Sequence, residues 1–320
     1  MKMICTRLLT VAVLGLACVA AQAQSSDKTP LRMIVPYSPG GTTDALARLL
    51  QRSLTSVMGR PVIVDNKPGA TGTIGTELGA KAAPDGNTIV FGNQGPNAIV
   101  PAVRKLAYDP FNDLRPLTTV AFMPLALAVS AENGPKTLKD FMDKARKPGA
   151  GMNYGSSGIG SFAHLAGHEF TRQGNLNMTH VPFKGGGEVV PALLNGTVDG
   201  SFLTAMEATQ MVTGGKLRFL AMGSPKRMAR LPDVPVVAEE LPGFNAVIWF
   251  AAFAPKGTPD DIAEKLRDAI VKAVESPEYR QYLEERNAEA RPSSPAELTQ
   301  LIRDDMRVWG DVVKKNNIPL

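Results

Sequence analysis

From residue 31 onward, short runs of β-branched and apolar residues alternate with amphipathic stretches of helical period. That alternation leaves few folds open. Residues 31–37 (LRMIVPY) read as a strand, and 41–58 as a helix with Leu46, Leu49, Leu50 and Leu54 on one face. A strand at 61–64, a helix at 74–83 and a strand at 88–92 (TIVFG) follow. Strand, helix, strand at this spacing predicts right-handed βαβ units around a mostly parallel sheet.

The rhythm lapses over residues 96–124, a Pro-rich passage expected to be irregular. It resumes with strands at 125–130, 152–154, 179–183, 198–203 and 217–222, and with helices at 138–146, 162–173 and 189–194. Residues 204–207 read as a loop. A second Pro-rich passage (225–242) precedes a strand at 247–254. Three helices (259–275, 277–285 and 295–315) close the chain, the last capped by Ser293 or Ser294. Two α/β blocks crossed twice by the chain imply two lobes, one built from residues 24–122 and 230–320, the other from 123–229.

The first 23 residues stand apart. Lys2 and Arg7 precede a 13-residue apolar run, Leu8 to Ala20, and Ala21-Gln22-Ala23 follows. This is the pattern of a secretory leader cleaved after Ala23. The run is shorter than the roughly 20 residues that a membrane span needs. A lipoprotein signal on Cys18 is poorly matched, because Gly15 stands where such a signal wants leucine. Cys5 and Cys18 are the only cysteines of the 320 residues, so cleavage would leave a mature chain with no disulfide and no thiol chemistry. Loss of Lys2 and Arg7 turns the net charge from +5 to +3. With 6% aromatics, neither charge nor stacking surface points to nucleic acid.

Two loops carry the chemistry. Residues 36–44 (PYSPGGTTD) join the first strand to the first helix. The glycines allow close backbone approach, and Ser38, Thr42 and Thr43 with the helix-start amides offer an anion cradle. The same residues also suit a tight turn in which Thr43 or Asp44 caps the helix, and spacing alone does not choose between them. The loop lacks the lysine of a phosphate loop. Residues 153–161 (NYGSSGIGS) repeat the composition in the second block. They match neither G-x-G-x-x-G nor G-x-S-x-G, since Ile159 stands where the second glycine belongs. Two such loops facing one another would grip a carboxylate from both sides.

Position nominates other groups, because ligands of open α/β sheets bind at the carboxyl ends of strands. These are Asn93, Gln94 and Asn97 after the third strand, and the stretch Thr204, Ala205, Met206, Glu207. His164 and His168 lie four apart on one helix, but Leu165 replaces the glutamate of the zinc-protease motif. With His180 the only other histidine, no metal or other cofactor is expected. His164 is placed to face the cleft. Lys184 fits a surface cation as well as a contact, and Trp249 and Phe250 fit core or hinge packing.

Several ordered stretches resemble the Bug-type receptors, the substrate-binding proteins of tripartite tricarboxylate transporters. They are PYSPGGTTDALAR, VIVDNKPGATGTIG, NYGSSGIGSFAHLA, HVPFKGGG, VDGSF and WFAAFAPKGTP. The resemblance runs through the whole chain after the leader. It implies a periplasmic, two-lobed α/β binding protein of type II-like architecture that closes on a small organic carboxylate. In such receptors the two loops supply the carboxylate contacts, partly through ordered water. Carried over, Gly40, Gly41, Thr42, Ser157, Gly160 and Ser161 lead, followed by Asp44 and His164. Ser38, Asn93, Gln94, Ala205 and Met206 complete the expected site. Phe183 stands where the family often has tyrosine, and Thr204-Ala205-Met206 replaces a more polar segment, which implies a more apolar distal end suited to an apolar or aromatic acid. The resemblance further implies a monomer that works with integral-membrane transporter subunits. An orphan sensor feeding a signalling partner and an exported hydrolase using Ser157 or Ser38 with His164 are the rival functions.

Overall fold

The structure, a computed structural model, describes residues 29–316 and 318, so the expected leader and both cysteines lie outside the described residues. Strands β1 (Leu31–Val35), β2 (Val62–Asn66) and β3 (Thr88–Asn93) run parallel in the order β2-β1-β3. Helices α1 (Thr42–Met58) and α2 (Thr73–Ala80) join them. Leu46, Leu49, Leu50 and Leu54 are all buried, as their spacing predicts. α1 ends where Gly59 turns left-handed.

The passage expected to be irregular holds instead the longest strand, β4 (Leu114–Ser130), after a π-helical turn, Gly95–Ile99, and a short α-turn, Val100–Val103. Prolines 116 and 124 misled the reading, because proline gives no N–H to a ladder. The strand accommodates both at irregularities. The register shifts between Pro116 and Thr118, and Pro124 is the last residue paired to β9 (Val247–Pro255) before β4 changes partners. Its first part pairs antiparallel with β9 and with the short β10 (Glu289–Ala290). From Leu125 onward it pairs antiparallel with β7 (Gly200–Thr204) and β8 (Leu217–Met222).

Beyond β7 lie β5 (Met152–Ser156) and β6 (Met178–Pro182), parallel to one another and, through β5, to β7. The sheets are therefore mixed, with parallel outer strands and antiparallel β4 and β9 at the centre. The second crossing, residues 223–246, lies beside Leu125. Gly223 N–H donates to Leu125 O at 2.6 Å, and Leu125 N–H donates to Ala246 O at 2.8 Å.

Helices α3 (Leu138–Arg146), α4 (Phe162–Gln173) and α5 (Gly186–Leu194) flank the second block. So does α6 (Ala205–Thr213), where a loop was expected. Thr204 and Glu207 form a capping box that starts it, a T-x-x-E signature readable in the sequence but passed over. The chain closes with α7 (Asp260–Val274), α8 (Pro277–Glu284) and α9 (Pro295–Lys315). Ser294, not Ser293, caps α9, in a box with Glu297. Trp249 is buried and donates to Asp305 Oδ2 of α9 at 2.7 Å, a packing role as expected. Among the described residues no helix is long and apolar enough to cross a membrane.

Candidate functional site

Parallel strands end on one side of each block, and the loops that leave them enclose a cavity of about 480 Å³ between the blocks. From the first block come Tyr37, Ser38, Pro39, Gly40, Gly41, Thr42, Thr43 and Asn93. From the second come Ser157, Ser161, Phe162, Ala163, Gly185, Gly186, Gly187 and Glu188, with Thr204 and Glu207. Leu125, Phe202, Leu203, Ile248 and Phe250 supply an apolar wall. The lining contains no lysine or arginine, and its ionisable side chains other than Tyr37 are Glu188 and Glu207.

Positive potential comes instead from helix ends. The N-termini of α1, α4 and α5 all open on the cavity, each with backbone N–H groups lacking intrahelical partners. At α4, Ser161 caps the helix by accepting from His164 N–H at 3.2 Å. Phe162 and Ala163, the first two helical residues, also line the cavity, as does Ser157. Gly40 needs its glycine, since its φ is +92°. Gly41 has an ordinary φ of −85°.

Of the residues expected from the sequence, Ser38, Gly40, Gly41, Thr42, Asn93, Ser157 and Ser161 are in the lining, and six are not. Asp44 turns inward. Its carboxylate accepts from Gly40 N–H at 3.1 Å, Arg48 Nε at 2.9 Å and Asn66 Nδ2 at 2.9 Å. Burial opposes its ionisation, yet these donors outweigh burial and hold the carboxyl below its usual range. Asp44 therefore holds the turn from behind, but neither it nor Thr43 caps α1, whose N-cap is Gly41 without a side-chain hydrogen bond. Gln94 is buried and accepts from Trp249 N–H at 3.0 Å. Ala205 lies in the core beneath β7 and β8, and Met206 lines an adjoining crevice that shares Gly40, Gly41, Thr42 and Glu207 with the cavity.

Gly160 and His164 are spent on one another, with Gly160 N–H donating to His164 Nδ1 at 3.1 Å. The His164 ring is buried and stacks on His180 with centroids 3.9 Å apart, so it lies under the loop and not in the cleft. Burial and the neighbouring His180 push His164 down to about 3, and burial pushes His180 down to about 4. His180 pairs at 2.6 Å with Ser156, which is fully buried, and not with Ser157. The nucleophile and base of the hydrolase reading are thus not brought together. Phe183 packs against Gly155 outside the lining, and Lys184 is exposed.

Sequence reasoning missed Tyr37, Phe162, Ala163 and Gly186 as cavity residues, and it held Glu207 only as a candidate by position. Tyr37 is half-buried, desolvation raises its phenol well above the usual range, and it donates to Asn93 Oδ1 at 2.9 Å. Glu207 had a signal in its T-x-x-E spacing. Its Oε2 accepts from Thr204 N–H at 3.2 Å within the capping box, while Oε1 accepts from Thr42 N–H of the other block at 3.3 Å. Burial raises its carboxyl, and the N–H and hydroxyl groups of Thr42 and Thr204 pull against that. The Thr42 and Thr204 hydroxyls bond to one another, and Thr71 Oγ1 donates to Ile159 O at 2.5 Å, so the two blocks are latched across the cavity.

Two α/β blocks crossed twice, with a cavity between them lined by helix N-termini, define a solute-binding protein of the periplasmic binding-protein architecture. A family model described as tripartite tricarboxylate transporter family receptor matches residues 46–318. The chain belongs to that family and is a solute-binding receptor of the Bug type. It is 34% identical to the protein BugT of Bordetella pertussis over 328 residues, 98% of this chain and 99% of BugT. Among solved structures it resembles MatC of Rhodopseudomonas palustris with bound malate, with TM-score 0.82, 33% identity and 89% and 98% of the two chains covered. It also resembles an R. palustris protein solved with adipate, with TM-score 0.87, 30% identity and coverage of 91% and 98%.

Proposed function

We propose that this receptor captures a small organic carboxylate in the periplasm and delivers it to integral-membrane transporter subunits. The observation that carries the reading is a cavity between the blocks that is lined by helix N-termini, without a basic side chain. The ligand carboxylate sits at the start of α4, accepting from the Phe162 and Ala163 N–H groups and the Ser157 hydroxyl. Ser38, Thr43 and Asn93 face it from the other block. The apolar wall of Leu125, Phe202, Ile248 and Phe250 takes the rest of the ligand, which suits an aliphatic or aromatic acid. The malate and adipate bound by the two R. palustris relatives support the carboxylate class.

The leader is cleaved after Ala23. The lobes comprise residues 24–122 with 230–320, and 123–229, a division supported by the exchange of β4 from β9 to β7 and β8 at Leu125. A thermal-shift panel of mono-, di- and tricarboxylates, sugars and cations tests the function. The expected result is stabilisation by organic acids alone. A shift with sugars or cations and none with any organic acid overturns it.

A further inference from the structure

The carboxylate of Glu207 lies where an anionic ligand group would be expected to lie. Its Oε1 accepts from the Thr42 N–H at the start of α1, while Oε2 accepts from Thr204 N–H at the start of its own helix. It also lies against Gly186, the first residue of α5. A Cβ built there would come within 2.1 Å of Oε1, so glycine makes room for the carboxylate. Both backbone contacts use the carboxylate as acceptor, the arrangement that suits its ionised form. The cavity therefore holds one helix N-terminus already neutralised by the protein, and another, at α4, still open.

We propose that Glu207 is a specificity-determining residue that occupies the anion cradle at the start of α1, so that the receptor accepts monocarboxylates and rejects dicarboxylates. The inference rests on the carboxylate reading above and narrows it. A ligand lying between the cradles would place one carboxylate at the Phe162 and Ala163 amides and its opposite end near Glu207. A second carboxylate there meets like charge in a site with no basic side chain to offset it. An uncharged or hydrogen-bond-donating end meets an acceptor.

The test is calorimetric titration of the mature chain and of Glu207→Gln with two matched pairs, hexanoate against adipate and benzoate against terephthalate. Glutamine preserves the capping box, and a thermal melt confirms that the variant is folded. The wild-type chain is expected to bind the monocarboxylate of at least one pair at least tenfold more tightly than its dicarboxylate. In Glu207→Gln that preference is expected to fall at least tenfold, chiefly by a gain in dicarboxylate affinity. Wild-type affinity for a dicarboxylate equal to or above that for its partner overturns the inference and leaves the carboxylate reading intact, as does an unchanged ratio in the variant. Binding of neither acid of either pair, to wild type or variant, overturns the inference and counts against the carboxylate reading as well.

Discussion

Asp44 and Glu207 show how two carboxylates near one loop come to different uses. Asp44 is buried among Gly40 N–H, Arg48 and Asn66, so it fixes the loop from behind. Asp44→Ala leaves those donors unmatched and is expected to lower stability by about 2 kcal/mol in urea unfolding. A loss under half of that would mean that the loop holds itself. In the sequence Asp44 ranked among the expected site residues because it lies in the glycine loop, and Glu207 was noted only by position. The period-2 and period-3.6 patterns say which element a residue belongs to. They do not say whether its side chain turns toward a cavity or away from it. That depends on the partner block, which lies more than 160 residues away for the Thr42–Glu207 contact.

Among the elements, helices with an apolar stripe and a cap were legible, and α9 matches its expected bounds at both ends. α6 was missed because its T-x-x-E start was read as a loop, and β4 because two prolines obscured it. Ser294→Ala removes the cap of α9 and is expected to cost about 1 kcal/mol, with ligand affinity unchanged, measured by unfolding and calorimetry. The pair His164 and His180 beneath the second loop sets a pH dependence. Both titrate below the ordinary histidine value, so below about pH 6.5 the unfolded chain takes up protons that the folded chain refuses. Their contribution is full above that pH, and stability is expected to decline as pH falls toward about 4, by several kcal/mol. His180→Asn is expected to flatten the decline in urea melts at pH 7, 5.5 and 4.5, and an equal slope in the variant would assign the effect elsewhere.

At the scale of the whole molecule, the sequence told of two blocks and two crossings, but the way β4 is shared between them emerges only from the pairing. Contacts across the cavity favour the closed arrangement. Thr71 lies outside the lining, yet its hydroxyl reaches Ile159 O. Thr71→Val is expected to weaken ligand binding about fivefold, the worth of one net hydrogen bond, through the closing step alone. Unchanged affinity would show that this contact does not bias closure. The central claim is that helix-end amides recognise a carboxylate by its charge. Calorimetric titration with hexanoate and benzoate, each beside its primary amide, tests it most directly. At least one acid is expected to bind and to exceed its amide at least tenfold, because charge-assisted hydrogen bonds to backbone N–H groups are lost with the charge. Amides that bind as tightly as their acids would contradict it.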